Sequence, residues 1–412
     1  MKRRFTITVL IVAAMSVLCT AGFAATISPK KKKSTKASRS AVLSPVAAHR
    51  SSHSAVKKAT KKTRRYSRYQ WINGHRVKRN RYYERFTASS FVDFNQGADD
   101  VTAGEDPAVR AAALDALGNM NGTVVAIDPN TGRILAMVNQ GMALSEGAEP
   151  CSTIKLSVAM AALSEGIIDK DTRLQLSRRV SMNLTDALAH SNNQYFEALG
   201  RRLGFEKVSY YAHQFGLGEM AGWNIPGEHL GVYPSEELDA RLGGVGRMCS
   251  FGESISMTPL QLGALVSAIA NGGTLYYLQH PTTAAEAANF EPKVKRYLDI
   301  APLIPEMQPG MTGAVEYGTA QRVRWNFSEE QILGKTGTCS NNGTRYGWFA
   351  SYANTQNGKI VVVIFLEGGK PTFGPKAAEL AGKMYRALYD GSYFTAKTPV
   401  ASDRTAAVGE SQ

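Results

Sequence analysis

Three short stretches carry side chains whose types and spacing suit nucleophilic catalysis by a serine. In EPCSTIKLSVAM, Glu149–Met160, Ser152 and Lys155 stand three residues apart. On a helix that spacing puts both on one face, within reach of each other. A serine hydroxyl is a weak nucleophile until a neighbouring base takes its proton, and a lysine amine does so when desolvation lowers its pKa. The first turn of a helix also favours negative charge developing nearby. Alone, the pattern is weak and far more often marks the ordinary surface of a helix.

The second stretch is Ser191-Asn192-Asn193, which interrupts an otherwise helical run and can aim a hydroxyl and an amide into a cleft. Taken singly it reads as a helix N-cap, a position that Ser and Asn favour anyway. The third is Lys335-Thr336-Gly337-Thr338 on a β-type run. Strand alternation puts Lys335 and Gly337 on one face and Thr336 and Thr338 on the other. A strand glycine marks close approach of a backbone or ligand. Lys335 supplies positive charge for a carboxylate, and an edge strand there offers its backbone to an extended peptide.

The elements that must position these residues are legible in outline. DPAVRAAALDALGNM, beginning near Pro107, has apolar residues at helical spacing. TVVAIDP and RILAMVN flank Asn130-Thr131-Gly132 and predict a β-hairpin. The Ser152 helix follows. Residues 183–230 read as mostly helical, with breaks at Ser191–Asn193, Gly204 and Gly216–Gly218. Thr258–Ala270 predicts another helix, stopped by Asn271-Gly272-Gly273. QILGKTGT, YGWFASYA and KIVVVIFLEG read as a three-strand meander, and Pro375–Leu388 as a closing helix. Strands at both ends of a helical block imply an α/β domain with an all-helical insertion.

Taken together and in this order, the three stretches are far more specific than any one of them. Over Gly118–Tyr389 the chain resembles the transpeptidase domain of penicillin-binding proteins, as do TVVAIDPNTGRILAMV, IPGEHLG, MTPLQLGALVSAIANGGT, EYGTAQ and GKTGT before GWFASYA. The resemblance implies a β-lactamase/transpeptidase-like fold, an antiparallel sheet flanked by helices with a helical subdomain. It implies Ser152 as the acylated nucleophile, Lys155 as its base, and Ser191 as a proton relay. Asn193 would bond the acyl-side amide, and Lys335, Thr336 and Thr338 the substrate carboxylate across Gly337. The oxyanion would lie between the N–H groups of Ser152 and Thr338, each such donor contributing about 3 kcal/mol. The substrate would be a peptidoglycan stem peptide ending in D-Ala-D-Ala, with β-lactams as covalent inhibitors. The gap of 39 residues from Ser152 to Ser191 is short for the family and suggests a trimmed helical subdomain. Neither a glycosyltransferase module nor a large pedestal domain is expected before residue 107.

Two other readings compete. A serine β-lactamase needs a carboxylate that activates water, for which Glu228 and Glu236 are candidates, although Glu228 belongs to the P-G-E-x-x-G segment. A non-catalytic wall or β-lactam sensor would have less reason to keep all five of Ser152, Lys155, Ser191, Asn193 and Lys335. No cofactor or metal is expected. The chain has no His-Glu-x-x-His, Gly-x-Ser-x-Gly, Walker or dinucleotide motif, and its seven histidines are scattered.

The net charge of +14 is unevenly spread. Residues 26–85 hold 19 Lys/Arg against one acid, Glu84, whereas residues 86–412 sum to −7. The N-terminus, with Lys2, Arg3 and Arg4, an apolar run Phe5–Leu18 and small residues to Ala25, predicts export to the periplasm or envelope, as a cleaved signal or a retained anchor. Leu18 before Cys19 argues against lipidation. Residues 26–106 read as a basic, largely disordered linker, 107–391 as the transpeptidase domain and 392–412 as a disordered tail. The basic aromatic segment 66–86 reads as a tether near anionic membrane or wall polymer rather than a nucleic-acid binder. Cys151, Cys249 and Cys339 read as buried apolar thiols, the alternative being one disulfide and one free thiol. Cys151 and Cys339 flank Ser152 and the Lys335–Thr338 run, a placement expected to put two thiols near enough to the site to influence it.

Overall fold

A computed structural model describes Tyr69–Ile72, His75–Lys78 and residues 86–394. The chain divides into two compact units, residues 1–79 and 80–412. In the first, Tyr69–Ile72 pairs antiparallel with His75–Lys78, so part of the segment read as disordered linker is a β-hairpin. Asn73-Gly74, between the two strands, is the strongest short hairpin signal a sequence carries. The expected export segment 1–25 and linker residues 26–65 lie outside the described residues. No helix among the described residues is long and apolar enough to cross a membrane.

The second unit is built on five strands: β1 (Gly122–Asp128), β2 (Arg133–Val138), β3 (Ile332–Asn341), β4 (Thr344–Thr355) and β5 (Gly358–Gly368). Their order is β2-β1-β5-β4-β3, antiparallel throughout, as the family resemblance implied. β3 therefore forms an edge. Strand alternation feeds two cores. Val124 and Ala126 pack with Phe349, Val362 and Ile364 against α1 (Pro107–Leu117) and the last helix, Gly374–Asp390. Val125 and Ile127 pack with Trp348, Val361 and Val363 in the other core, beneath the helical block. Because both faces are covered, the strands read as nearly continuous apolar runs rather than alternating ones.

The block contains α2 (Lys155–Ser164), α3 (Leu184–Ala189), α4 (Asn193–Leu203), α5 (Phe205–Gln214), α6 (Gly244–Phe251), α7 (Pro259–Asn271) and α8 (Ile304–Glu316); Gly374–Asp390 is α9. Local signals account for most boundaries. Asp106 caps α1 by accepting from Ala108 and Val109 N–H, and Thr258 and Gln261 form a capping box on α7. The expected helical reading of 183–230 holds only to Gln214; residues 215–239 are irregular, with Gly216, Gly218 and Gly227 at positive φ. Helix α8 went unread because IPEMQPGMTGAVE contains Pro309, Gly310 and Gly313. Yet Ile304, Met307, Met311, Ala314 and Val315 are all buried at helical spacing.

The packed domain also starts earlier than residue 107. Ser90 is fully buried with its hydroxyl 3.0 Å from that of Thr372, and Phe91 bridges Met120. Residues 97–105 are held by Arg110, whose guanidinium donates to Glu105 at 3.0 Å and to Asp100 at 2.7 Å. Glu105 accepts from Met137 N–H and Asp100 from the N–H groups of Asn139 and Gln140, so the network clips this segment to β2. No composition signal marked it, because the segment is polar and what fixes it to the sheet, Met137, Asn139 and Gln140, lies more than 30 residues on. At the other end Phe394 is buried against Phe327 and Tyr385, which moves the tail boundary past 392; residues 395–412 lie outside the described set.

Removing one partner of a buried ionic cluster strands the others. Arg110→Ala is expected to lower unfolding stability by about 3 kcal/mol, read from denaturant midpoints. A midpoint matching the wild type would show that the cluster contributes nothing.

Candidate active site

The Ser152 turn enters the sheet region from Pro150. Cys151–Ile154 is one 3₁₀ turn that runs directly into α2, so Ser152 and Lys155 lie on one helical face. Cys151 itself has φ +52°, a left-handed conformation that costs a non-glycine residue about 1–2 kcal/mol. Its surroundings hold it there. Glu149 carbonyl oxygen accepts the Trp348 indole N–H at 3.0 Å, and Thr153 hydroxyl donates to Pro150 oxygen at 2.6 Å. Gly252 lies so close under Pro150 that a Cβ there would come within 2.4 Å of the proline ring.

Lys155 is fully buried, and its amine meets four oxygens: Ser152 Oγ at 2.9 Å, Ser191 O at 2.8 Å, Ser191 Oγ at 3.1 Å and Asn193 Oδ1 at 2.6 Å. Burial drops its pKa from the ordinary 10.5 to about 7, with Glu197 pulling weakly the other way. A neutral amine has a lone pair free to accept the hydrogen of the Ser152 hydroxyl. The geometry can thus generate a serine nucleophile near neutral pH.

Ser191 follows the end of α3, also in left-handed backbone (φ +54°), and Asn192 caps α4 by accepting from Tyr195 N–H. The capping role read for this stretch therefore falls to Asn192, which leaves Ser191 and Asn193 free to face Lys155. Helix α3 can sit this close because of two glycines of α8. A Cβ at Gly310 would come within 2.7 Å of Leu188, and one at Gly313 within 3.1 Å of Ala189.

Lys335 rises from edge strand β3, fully buried, with its amine 2.8 Å from Ser191 Oγ and 2.8 Å from Thr336 O. Burial, and then the neighbouring Lys155 ammonium, push its pKa well below the lysine range. Two amines thus share one hydroxyl, and their protons are taken up as a coupled pair. Gly337 faces the Ser152 turn; a Cβ there would sit 2.9 Å from Pro150 O. Thr336 and Thr338 point the opposite way, toward Gly374 at the start of α9, as strand alternation predicts. The Thr336 hydroxyl lies 2.6 Å from that of Thr319, while Thr338 is exposed and accepts from Gly374 N–H. Thr319 also donates its N–H to Ala189 O, tying the Ser191 loop to the strand. Thr319 belongs to EYGTAQ, but nothing local marked it as a link.

The cysteine reading is corrected here. Cys151 and Cys339 form a disulfide, and among the described residues Cys249 is the one free thiol, which is buried, so the alternative of one disulfide and one free thiol is what the structure shows. Both partners are apolar enough to have read as core thiols, and a sequence separation of 188 hides the pairing. Of the two carboxylates weighed for a water-activating role, Glu228 is spent on the N–H groups of Ala221 and Gly222, and Glu236 is exposed.

An antiparallel sheet covered on both faces, with two serines and two lysines meeting at its edge, is the architecture of the penicillin-binding transpeptidases. The chain belongs to that family: the penicillin binding protein transpeptidase domain matches residues 122–389, well over half its length. It is 24% identical to peptidoglycan D,D-transpeptidase MrdA of Acinetobacter baumannii over 68% of this chain and 52% of that one. It is 28% identical to stage V sporulation protein D of Bacillus subtilis, covering 64% and 48%. Peptidoglycan D,D-transpeptidase PbpA of Mycolicibacterium smegmatis is 26% identical, with 74% and 75% covered. The chain thus spans about half the length of the first two relatives. Among solved structures, Pseudomonas aeruginosa PBP2 in complex with WCK 5153 shares the fold at TM-score 0.60 and 22% identity, covering 73% of this chain and 80% of that one. The D,D-transpeptidase domain of an Eggerthella lenta peptidoglycan glycosyltransferase does so at 0.55 and 21%, covering 69% and 82%.

The depressed Lys155 pKa has a stability consequence of fixed sign. Between about pH 7 and 10.5 the unfolded chain holds a proton that the folded chain lacks, so stability rises with pH across that window. From pH 7 to 10 the wild type should gain thermal midpoint relative to Lys155→Met. A constant difference would mean that Lys155 titrates normally in the fold.

Proposed function

We propose that the protein is a peptidoglycan D,D-transpeptidase working through a serine acyl-enzyme, exported to the cell envelope. The reading rests chiefly on one observation, the buried Lys155 amine 2.9 Å from the Ser152 hydroxyl and poised to titrate near pH 7. Ser152 attacks the carbonyl between the last two D-alanines of a stem peptide, and Lys155 takes its proton. The tetrahedral oxyanion is held by the N–H groups of Ser152 and Thr338. Ser191, bonded to both lysines, passes a proton to the departing D-alanine. Asn193, its carbonyl engaged by Lys155, turns its amide nitrogen to the acyl chain. Lys335 gives the substrate carboxylate a positive field, and Thr338, the exposed hydroxyl of the Lys335–Thr338 run, its direct contact; Thr336 joins once its bond to Thr319 is exchanged. An amine of a second stem peptide then attacks the acyl-enzyme and restores Ser152.

A β-lactam presents the same acyl carbonyl and carboxylate, so it would acylate Ser152 and stay there. A D,D-carboxypeptidase would use the same first half-reaction with water as the acceptor. A β-lactamase reading is disfavoured because the Glu228 carboxylate is held by two backbone N–H groups. The basic segment before residue 86 would hold the domain near anionic membrane or wall polymer.

Fluorescent penicillin should label the wild type and leave Ser152→Ala unlabelled, and the acylation rate should climb as pH rises through about 7. Equal labelling of both proteins would overturn the assignment of Ser152, and rapid release of bound penicillin would indicate a β-lactamase. Product analysis on a purified disaccharide-pentapeptide separates crosslinking from trimming.

A further inference from the structure

Resting on the acylation proposed above, we infer that the Cys151–Cys339 disulfide is a positioning device for the reaction. It clamps the N–H groups of Ser152 and Thr338 at the separation the oxyanion needs. The juxtaposition is direct. Cys151 precedes Ser152 and Cys339 follows Thr338, so the bond joins the two walls of the oxyanion site one residue outside each donor. The Cα atoms it joins are 5.5 Å apart, although their sequence separation is 188.

Both walls need such a constraint. Strand β3 is the sheet edge, bonded to β4 on one side alone, and Thr338, Ser340 and Asn341 are exposed as it runs out toward Asn342-Gly343. Cys151 is held at positive φ, which a non-glycine residue keeps only where its surroundings over-determine it. The Trp348–Glu149 hydrogen bond ties the entry of the turn to β4, one strand in from Thr338, and the Thr153–Pro150 bond closes the turn on itself; neither reaches β3 directly. The packing between the walls at that level, Gly337 against Pro150 O and the Thr153 methyl, resists approach but not separation. The disulfide resists both. An oxyanion donor that drifts by a fraction of an ångström loses much of its value, because its benefit depends on being preset.

The bond opens by exchange with a dithiol. Two electrons and two protons pass from the dithiol to the sulfurs, leaving thiols at Cys151 and Cys339 and a cyclic disulfide on the reductant. The reduced protein keeps the hydrogen bonds of the turn and stays folded, but it acylates slowly.

The test uses the full chain, oxidised, reduced with dithiothreitol, and as Cys151→Ala/Cys339→Ala. Cys339→Ala serves as a second variant that spares the buried Cys151 packing. Penicillin acylation is followed at several concentrations, well below each protein's melting temperature, to separate the limiting rate from the affinity of the prior non-covalent complex. The clamp predicts a limiting rate lower by roughly 10- to 100-fold, less than the loss of a whole oxyanion donor. Affinity and the pH profile should stay unchanged, and re-oxidation of the wild type should restore the rate. Equal rates in both redox states, or losses that only follow the unfolded fraction, would overturn the clamp while leaving Ser152 acylation intact. Failure of the oxidised wild type to form any Ser152 adduct would overturn the acylation itself, and this inference with it.

Discussion

Two lysine amines share the hydroxyl of Ser191 in a place where neither is solvated. Burying an ammonium is costly unless it sheds its proton or gains strong partners, and here both occur. Lys155 collects four oxygens, and its pKa falls to about 7. Proximity of a second positive charge makes it harder still for both amines to be ionised together. The remaining architecture can be understood as what is required to bring those amines together, dry, beside a half-exposed serine.

That requirement explains why the contributing elements are of different kinds. A helix start supplies Ser152 and Lys155 at fixed spacing, because three residues of helix bring side chains into contact. An inter-helix loop supplies Ser191 and the first residue of α4 supplies Asn193, their directions set by the positive φ of Ser191 and the cap made by Asn192. An edge strand supplies Lys335 from one face and is paired in the sheet on one side alone. Close packing then sets the separations. Gly310 and Gly313 let α8 reach α3, and Gly337 lets the strand reach Pro150. Thr319 and the disulfide tie the three pieces across long stretches of chain.

Much of this was readable beforehand, and the failures share a cause. The spacing in EPCSTIKLSVAM, the hairpin turn at Asn130–Gly132 and the Thr258 cap are local, and each behaved as its local chemistry demands. The misreadings came where distant residues decide. Polar residues 97–105 looked like linker, yet Arg110 gathers them into the domain. Residues 304–316 were left unassigned, and buried apolar residues at helical spacing make them α8. Cys151 and Cys339 looked like two core thiols, since nothing within either stretch announces the other.

The amino-acid sequence by itself determined which groups have the chemistry to react and on what kind of element each would stand. Residue type and spacing act through the backbone within a few residues. Only the tertiary structure decided which groups meet. It brought Lys155 and Lys335 to one hydroxyl, directed the Thr336 hydroxyl toward Thr319, and joined Cys151 to Cys339. Those outcomes depend on burial and on separations between chain segments far apart in sequence, and so do the lowered lysine pKa values. Desolvation belongs to a packed site and cannot be assigned to any one stretch of residues.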